Sequence, residues 1–259
     1  MSIVVDNYSK LYGQTVAVQG LSFAVAPGEI LGLVGPNGAG KTSTLRALAG
    51  ILQPSSGRLL IGGHDVVKDP VTAKSLLAYV PDDPTLFESL TVWEHFRFVA
   101  SAYRVADWAA KAERLLVQFE LTEKRRALAS ELSRGMRQKV AIACGYLHDP
   151  KAILLDEPLT GLDPRGIRTM QDSVRRRAEA GAAVMVSSHL LSLVEDLCSS
   201  VLILHRGRQL VRGTLSELRQ GLDEGSRHET LEELFFRLTE SGREPSTVAG
   251  DQASTPVEA

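Results

Sequence analysis

The sequence predicts one α/β domain that carries an inserted helical lobe, and three features favour this fold class. The first third of the chain is rich in β-type segments, the middle third has helical periodicity, and the last third alternates between the two. A glycine-rich loop joins a strand-like segment to a helix-like one near residue 40. With 259 residues, the chain is long enough to bury a large core.

The β-rich first third contains apolar segments bounded by turn residues. Pro27-Gly28 and Gly62-Gly63 supply turns between them. After Gly40 the pattern becomes helical, with Leu45 and Leu48 on one face and Gly50 as its C-terminal cap. We therefore predict a short helix there and four strands, which cover residues 3–5, 21–25, 29–34 and 58–61.

The middle third predicts helices. Thr91 and Glu94 have the spacing of a capping box, which opens a helix toward Tyr103. Asp107 is expected to cap the next helix with its side chain. The apolar face of that second helix consists of Trp108, Ala112, Leu115, Leu116 and Phe119.

The last third returns to alternating strands and helices. Asp163 and Pro164 are suited to the N-cap and first position of a helix that Gly181 ends, and Thr214 with Glu217 forms a second capping box. A hairpin is expected at Arg206-Gly207. The predicted segments are strands at 152–157, 182–188 and 201–205, an amphipathic closing helix at 231–240, and a disordered tail beyond Ser241.

Composition excludes several classes of function. The net charge is −2, so no basic surplus indicates binding to nucleic acid or to an anionic membrane. Cys144 and Cys198 lack metal-binding spacing and are expected to be buried, reduced thiols. No signal peptide is apparent, and the longest apolar runs fall far below the ~18 residues of a membrane span. We therefore expect a soluble protein whose membrane role, if any, comes through a partner chain.

The strongest motif is a phosphate-binding loop. The pattern G-x-x-x-x-G-K-[ST] is matched between a strand-like segment and a helix-like one, as this loop requires. Its glycines let backbone N–H groups surround an anion at a positive helix end. Lys41 is expected to reach the β- and γ-phosphates, and the Thr42 hydroxyl to ligate Mg²⁺. The matching residues are Gly35, Pro36, Asn37, Gly38, Ala39, Gly40, Lys41 and Thr42.

Two adjacent carboxylates end the apolar strand at 152–157. Side chains alternate along a strand, so Asp156 and Glu157 leave it in different directions and suit different tasks. Asp156 is expected to hold Mg²⁺ and Glu157 to act as general base toward the attacking water. His189 follows another strand and lies where ligands bind in open α/β sheets; it could contact the γ-phosphate or be structural.

The order of the motifs resembles the ATP-binding subunit of an ABC transporter. The resemblance covers about residues 1–240 and is carried by GPNGAGKT at 35–42, YVPD at 79–82, LSRGMRQ at 132–138, ILLDEP at 153–158, GLD at 161–163 and SSH at 187–189. Details of the helical lobe are similar to the Ecs-like group of bacterial ABC exporter ATPases. This resemblance implies a P-loop NTPase (RecA-like) core, an N-terminal antiparallel β subdomain and an inserted helical subdomain.

The resemblance also implies domain bounds and residue roles. It places the ATPase domain at 1–222, with the helical subdomain about 83–150, followed by a C-terminal helix at 223–240 and a tail at 241–259. Tyr12 would stack on adenine, and Asp82 would approach the metal or the attacking water. Ser43 would bind the nucleotide with the phosphate loop. Ser133, Gly135 and Asp163 would contribute to nucleotide sites shared between two subunits.

By this resemblance the chain hydrolyses ATP with Mg²⁺ and powers transport, with export the expected direction. Two copies, or one copy and a paralogous ATPase, would close head to tail over two ATP molecules. A separate transmembrane permease subunit would hold the protein at the cytoplasmic face of the cell membrane, and no nucleic-acid partner is expected. Leu86, Phe87 and Leu90 would either contact that permease or pack in the core of the helical lobe.

Three residues depart from the family pattern. Asp82 stands where Gln is usual, and Arg134 and Met136 replace the usual Gly and Gln of the signature. Arg134 could point outward, add charge toward the nucleotide, or have no role. The polar residues Gln138-Lys139, Lys124–Arg126 and Arg175–Arg177 are expected to be solvated helix surface.

Two other classes of function are weaker alternatives. A soluble ABC ATPase that binds nucleic acid or ribosomes commonly has tandem domains or long basic insertions, which this chain lacks. A P-loop GTPase or small-molecule kinase would leave the SRGM segment at 133–136 unexplained, and the chain has no NKxD motif.

Overall fold

A computed structural model describes residues 2–220 and 230–240. The predicted tail at 241–259 lies outside these residues, as do residues 221–229, which include the first part of the C-terminal helix predicted at 223–240. Within the described ranges the chain forms a four-stranded sheet, a six-stranded sheet and helices packed against them. None of the described helices has the length and apolar character that crossing a membrane requires.

The N-terminal sheet is antiparallel and has the strand order β2-β1-β4-β5. The predicted strands at 3–5 and 21–25 belong to a longer hairpin, in which they form the end farthest from the turn. The sequence pattern does not predict the part of the hairpin nearer the turn. Polar residues such as Asp6 and Asn7 interrupt the alternation of apolar and polar residues there, and the strands are largely exposed. The strand bounds are β1 Ile3–Tyr12, β2 Thr15–Val25, β4 Ser56–Ile61 and β5 His64–Asp65.

The six-stranded sheet has the order β10-β9-β3-β8-β7-β6 and is parallel except for β10. The predicted hairpin at Arg206-Gly207 is confirmed, since Arg208 pairs with His205. The strand β6 was not predicted separately. The bounds are β3 Ile30–Val34, β6 Leu77–Val80, β7 Ala152–Asp156, β8 Ala183–Ser188, β9 Ser200–His205 and β10 Arg208–Thr214.

The parallel strands are buried on both faces, because a core lies on each side of the sheet. In β7, Leu154 belongs to the core shared with the antiparallel sheet and α1, whereas Ile153 and Leu155 belong to the core shared with the helical lobe. Strands covered in this way are continuously apolar rather than alternating. This is why AILL at 152–155 predicted a buried strand correctly.

Helices cover both faces and build the lobe, and several predicted caps are confirmed. Thr91 and Glu94 form the capping box of α3, and the Asp163 carboxylate caps α6 by accepting from the Gly166 N–H at 3.0 Å. The second capping box is also present, at Thr214 and Glu217. The helices are α1 Lys41–Leu48, α2 Pro70–Ser75, α3 Val92–Tyr103, α4 Trp108–Gln118, α5 Arg134–Tyr146, α6 Pro164–Glu179, α7 Leu191–Leu197, α8 Leu215–Gln220 and α9 Leu231–Glu240.

Two expectations for the helices were wrong. Asp107 precedes α4, but its side chain makes no capping hydrogen bond. Gln138 is buried rather than solvated, and Lys139 is mostly covered and pairs with Glu120. Asp107 is exposed, whereas α5 packs against α3 and α4 in the lobe and its polar residues Gln138 and Lys139 are covered.

Candidate functional site

The predicted chemical groups converge at one edge of the parallel sheet. The strands β3, β8, β7 and β6 are neighbours and run in the same direction. Their carboxyl ends therefore lie side by side, and ligands bind at this edge in open α/β sheets. The phosphate loop follows β3, His189 follows β8, Glu157 follows β7 and Asp82 follows β6.

The phosphate loop is shaped by close approaches of the backbone. A Cβ atom on Gly35 would lie 2.3 Å from the carbonyl oxygen of Leu204, and one on Gly40 would lie 2.7 Å from that of Ala17. Gly40 also has a φ of +105° at the N-cap of α1, a conformation that favours glycine. The loop consequently ends at a helix N-terminus whose N–H groups are suited to a phosphate.

Lys41 directs its charge back over this loop. Its Nζ donates to the carbonyl oxygen of Gly35 at 2.7 Å and lies 3.6 Å from Oε1 of Glu157. The side chain is 6% exposed, so its ammonium group is held in place rather than solvated. A positive charge at this position can neutralise phosphate oxygens in the loop.

Asp156 lies at the centre of a small polar cluster. Its Oδ1 accepts a hydrogen bond from the Thr42 hydroxyl at 3.3 Å and a shorter one from the Ser187 hydroxyl at 2.6 Å. Asp156 is 2% exposed, and a buried carboxylate needs such partners. The cluster therefore brings the predicted metal-binding residues Thr42 and Asp156 together.

Glu157 has a backbone conformation that redirects its carboxylate. Its φ is +49°, which is uncommon for a residue other than glycine and costs energy. Two contacts from Ser187 support it, since the Glu157 N–H donates to the Ser187 hydroxyl at 3.0 Å and to its carbonyl at 3.2 Å. The carboxylate then lies between Lys41 and His189, whose Nδ1 is 2.9 Å from Oε2.

Ser187 is the first residue of the SSH motif, and the sequence alone assigns it no separate role. Its hydroxyl donates to Asp156 and accepts from the Glu157 N–H, so one side chain orients both acidic residues. The available signal was its position: Ser187 ends β8, and β8 pairs with β7 such that Asp156 lies opposite Ser187. That pairing is a property of the sheet and cannot be read from either segment alone.

A cavity of about 320 Å³ lies over the loop. Asp82 and Glu157 line it together with Ser43 of α1. The full lining is Ala17, Pro36, Asn37, Gly38, Ala39, Gly40, Lys41, Thr42, Ser43, Asp82 and Glu157. A larger cavity of about 910 Å³ lies between α2 and the ends of α3 and α4, away from these groups.

Tyr12 lies beside the start of α1. Its ring is 49% exposed, and its hydroxyl is 3.5 Å from the Ser43 hydroxyl. Tyr8 supports the same turn by donating to the Ser43 carbonyl at 3.2 Å, and burial raises the pKa of Tyr8, which keeps this donor protonated. An exposed aromatic ring next to a phosphate loop is available for stacking on a base.

Ser133, Gly135 and Asp163, which the resemblance assigns to shared nucleotide sites, do not line this cavity. Ser133 is exposed and is the N-cap of α5, with its hydroxyl accepting from the Met136 N–H at 3.3 Å. Gly135 packs against the loop before α6, since a Cβ atom there would lie 3.2 Å from Leu162. Asp163 is exposed and caps α6. Arg134, between the first two, donates to Asp82 at 2.9 Å.

Magnesium fits the donor set at the loop. The described part of the chain contains no cluster of three or more His, Cys, Asp or Glu side chains that could hold a metal on its own. Mg²⁺ is usually held by one or two carboxylates together with the phosphates of a substrate. The Thr42 hydroxyl and the Asp156 carboxylate, 3.3 Å apart, suit that mode of binding.

A second, apolar groove separates the helical lobe from the sheet. Its volume is about 450 Å³, and its lining includes residues of β6, the segment after it, α3 and α5. Phe87 and Phe98 meet edge to face at 5.1 Å and are each about half exposed. Burial lowers the pKa of His148 at the far end, where its ring stacks on Tyr103. Leu86 lines the groove and also packs against the core.

Comparisons with known proteins agree with this arrangement. Residues 18–160 match the family model described as ABC transporter. The chain is 35% identical over 230 residues to the ABC-type transporter ATP-binding protein EcsA of Bacillus subtilis (strain 168), a match that covers 88% of this chain and 92% of the relative. It is also 35% identical over 219 residues to the Nod factor export ATP-binding protein I of Paraburkholderia xenovorans (strain LB400), covering 84% and 72%.

Among solved structures, one described as the ATP binding subunit of an ABC transporter matches with a TM-score of 0.86 at 35% identity. The match covers 93% of this chain and 100% of that chain.

Proposed function

The chain belongs to the ABC transporter family as an ATP-binding ATPase, and we propose that it hydrolyses Mg²⁺-bound ATP in a head-to-tail dimer that powers a separate transmembrane subunit. The observation that carries the proposal is the convergence of Lys41, Glu157 and His189 over the phosphate loop. Glu157 lies 3.6 Å from Lys41 and 2.9 Å from His189. In this position its carboxylate faces the place where a γ-phosphate ends.

Each side chain of the site has a separate task in the proposed reaction. Lys41 and the loop N–H groups bind the β- and γ-phosphates, and Tyr12 stacks on the adenine. Glu157 accepts a proton from the attacking water, and His189 orients that carboxylate through its ring nitrogen. Magnesium, held by Thr42 and Asp156, would supply charge neutralisation of the phosphate oxygens.

The proposed dimer accounts for Ser133, Gly135 and Asp163, which do not line the cavity. Ser133 and Gly135 stand at the exposed N-terminus of α5, a helix of 13 residues, and that helix end attracts anions. We propose that they contact the nucleotide bound by the opposite subunit, with Asp163 adjacent to both sites. The second subunit is a further copy of the chain or a paralogue.

We further propose that the apolar groove binds the transmembrane subunit. Half-exposed aromatic rings in a groove are typical of an interface rather than of a solvated surface. Such a partner would hold the ATPase at the cytoplasmic face of the membrane. Export is the proposed direction, supported by the similarity to a Nod factor export protein.

The replacement Glu157→Gln tests the proposed mechanism. We expect ATP binding to remain within about threefold of wild type, because the phosphate loop is untouched. ATP hydrolysis should fall at least ~100-fold, since an amide cannot act as a general base. Steady-state phosphate release and the binding of a fluorescent ATP analogue measure the two effects, and sizing chromatography with Mg²⁺ and ATP reports a lasting dimer.

Glu179→Gln is the matched control, because it makes the same chemical change at the exposed end of α6. Hydrolysis by Glu157→Gln at the rate of this control would refute the general-base role.

A further inference from the structure

Two residues that depart from the family pattern form an ion pair with each other. Nη2 of Arg134 donates to Oδ1 of Asp82 at 2.9 Å. The side chains are 46% and 48% exposed, and 52 positions separate them along the chain. The pair therefore connects the segment after β6 to the N-terminus of α5.

The Asp82 end of the pair belongs to the nucleotide site. Asp82 lines the cavity over the phosphate loop together with Thr42 and Glu157. A carboxylate at the wall of a phosphate site is a natural ligand for the cation that accompanies a nucleotide, directly or through water. The same Oδ1 is already engaged by a guanidinium group, so the two cations would compete for it.

The Arg134 end belongs to the turn that the proposed dimer places against the neighbouring subunit. Arg134 is the first residue of α5 and lies between the cap residue Ser133 and Gly135. Its aliphatic part passes over Gly161, where a Cβ atom would lie 3.6 Å from Cδ of Arg134. One side chain thus touches the segment after β6, the loop before α6 and the start of α5.

We propose that Arg134 is a positioning residue that competes with the nucleotide-bound cation for Asp82, and that this exchange couples the chain's own nucleotide site to the position of its Ser133–Gly135 turn. The inference rests on the proposed function, because it requires Mg²⁺ with ATP at the loop. In the free protein the ion pair holds α5 toward Asp82. When Asp82 turns to the cation, the guanidinium is released and can meet a phosphate across the dimer interface.

The proposal makes a prediction about magnesium affinity rather than about activity. Removing the guanidinium frees Asp82, so Arg134→Gln should lower the Mg²⁺ concentration that half-saturates the ATP-bound site. The expected change is about two- to fivefold, the size typical of a partly exposed ion pair. Arg134→Lys keeps a cation near Asp82 and should lie between Arg134→Gln and the parent protein.

A double-mutant cycle separates this exchange from general electrostatics. All variants are made in the non-hydrolysing Glu157→Gln background, and Mg²⁺ is titrated against a fluorescent methylanthraniloyl-ATP. Arg134→Gln is compared alone and together with Asp82→Asn. Arg165→Gln is the charge-matched control, because Arg165 is an exposed arginine that pairs with Glu120 instead of Asp82.

The outcomes are distinct. The proposal predicts that the effect of Arg134→Gln disappears once Asp82 is Asn, and that Arg165→Gln changes nothing. An equal effect of Arg134→Gln in both backgrounds, or no effect in either, would overturn it. Failure of the proposed function itself looks different: the parent protein would not bind the ATP analogue, and the cycle could not be started.

Discussion

At the scale of single residues, the site depends on side chains that hold two carboxylates in different directions. Asp156 ends a buried strand, whereas Glu157 adopts a positive φ that turns its carboxylate toward Lys41 and His189. Ser187 is common to both, because its hydroxyl contacts Asp156 and the Glu157 N–H. Ser187 thereby stabilises the strained backbone conformation of Glu157.

We predict that Ser187→Ala lowers the rate of ATP hydrolysis about 10- to 100-fold, the effect typical of removing a group that orients a metal ligand. Asp156 would lose its shortest hydrogen bond, and Glu157 would lose one of its two supports. The Mg²⁺ requirement should rise as well, which steady-state assays over a range of Mg²⁺ concentrations measure. Ser188→Ala is the control, since that hydroxyl is 3.0 Å from the Leu190 N–H and bonds to neither carboxylate. Equal rates of ATP hydrolysis for the two variants would contradict the proposed orienting role of Ser187.

At the scale of elements, Asp149 follows α5 and forms ion pairs with α4 and α6. Its carboxylate accepts from Lys111 of α4 at 2.5 Å and from Arg177 of α6 at 2.8 Å. The guanidinium of Arg177 also stacks on the ring of Tyr146, 4.5 Å from its centroid. Burial alone would raise the pKa of Asp149, but the hydrogen bonds from Lys111 and Arg177 outweigh it and hold this pKa below its usual value.

We predict that Asp149→Asn lowers the free energy of unfolding by about 0.5–1 kcal/mol at pH 7, a value discounted for partial exposure. Asparagine tolerates the φ of +50° at this position, so the substitution tests the charge rather than the backbone. Because the folded pKa is depressed, the contribution is present above the unfolded pKa of ~4 and is lost as the pH falls through the folded value. The difference between the variant and wild type should therefore shrink in acid.

Urea unfolding at several pH values measures this difference. Asp107→Asn serves as a comparison, because that aspartate makes no side-chain capping bond and should change stability by less than ~0.5 kcal/mol. A loss of stability at Asp149 that does not depend on pH would contradict the electrostatic explanation.

At the scale of the whole molecule, a central parallel sheet separates two cores and ends in one edge of polar groups. One core joins the sheet to the antiparallel strands, and the other joins it to the helical lobe. The groove with Phe87 and Phe98 lies along the second junction, close to the segment that carries Asp82. A partner bound there would contact both the helical lobe and the segment that carries Asp82.

We predict that the double variant Phe87→Ser/Phe98→Ser loses association with the transmembrane subunit while its basal ATP hydrolysis stays within about twofold of wild type. Both rings are about half exposed, so their replacement removes two apolar contacts offered to a partner and costs less folding energy than the loss of fully buried rings. Purification from detergent-solubilised membranes, followed by identification of the membrane chain that accompanies each variant, measures the association. Val117→Ser alters an exposed apolar residue of α4 elsewhere and should leave it intact. Retention of the membrane chain by the double variant would move the interface away from this groove.

Much of the fold could be predicted because its signals are local. The phosphate loop, the Thr91–Glu94 and Thr214–Glu217 capping boxes and the apolar strand at 152–155 depend on residues within a few positions of one another. The order of the motifs then indicated the α/β fold class and the family, and the comparisons confirm both. The roles of Tyr12, Ser133 and Asp163 stay predictions.

The sequence by itself determined which chemical groups the protein carries and which segments present them, because loops, caps and apolar runs are written in neighbouring residues. Only the tertiary structure decided which distant groups meet. It placed Ser187 opposite Asp156, buried Gln138 and paired Arg134 with Asp82. These outcomes depend on strand order and lobe packing, which bring together residues 31 to 52 positions apart, and no local pattern encodes such contacts.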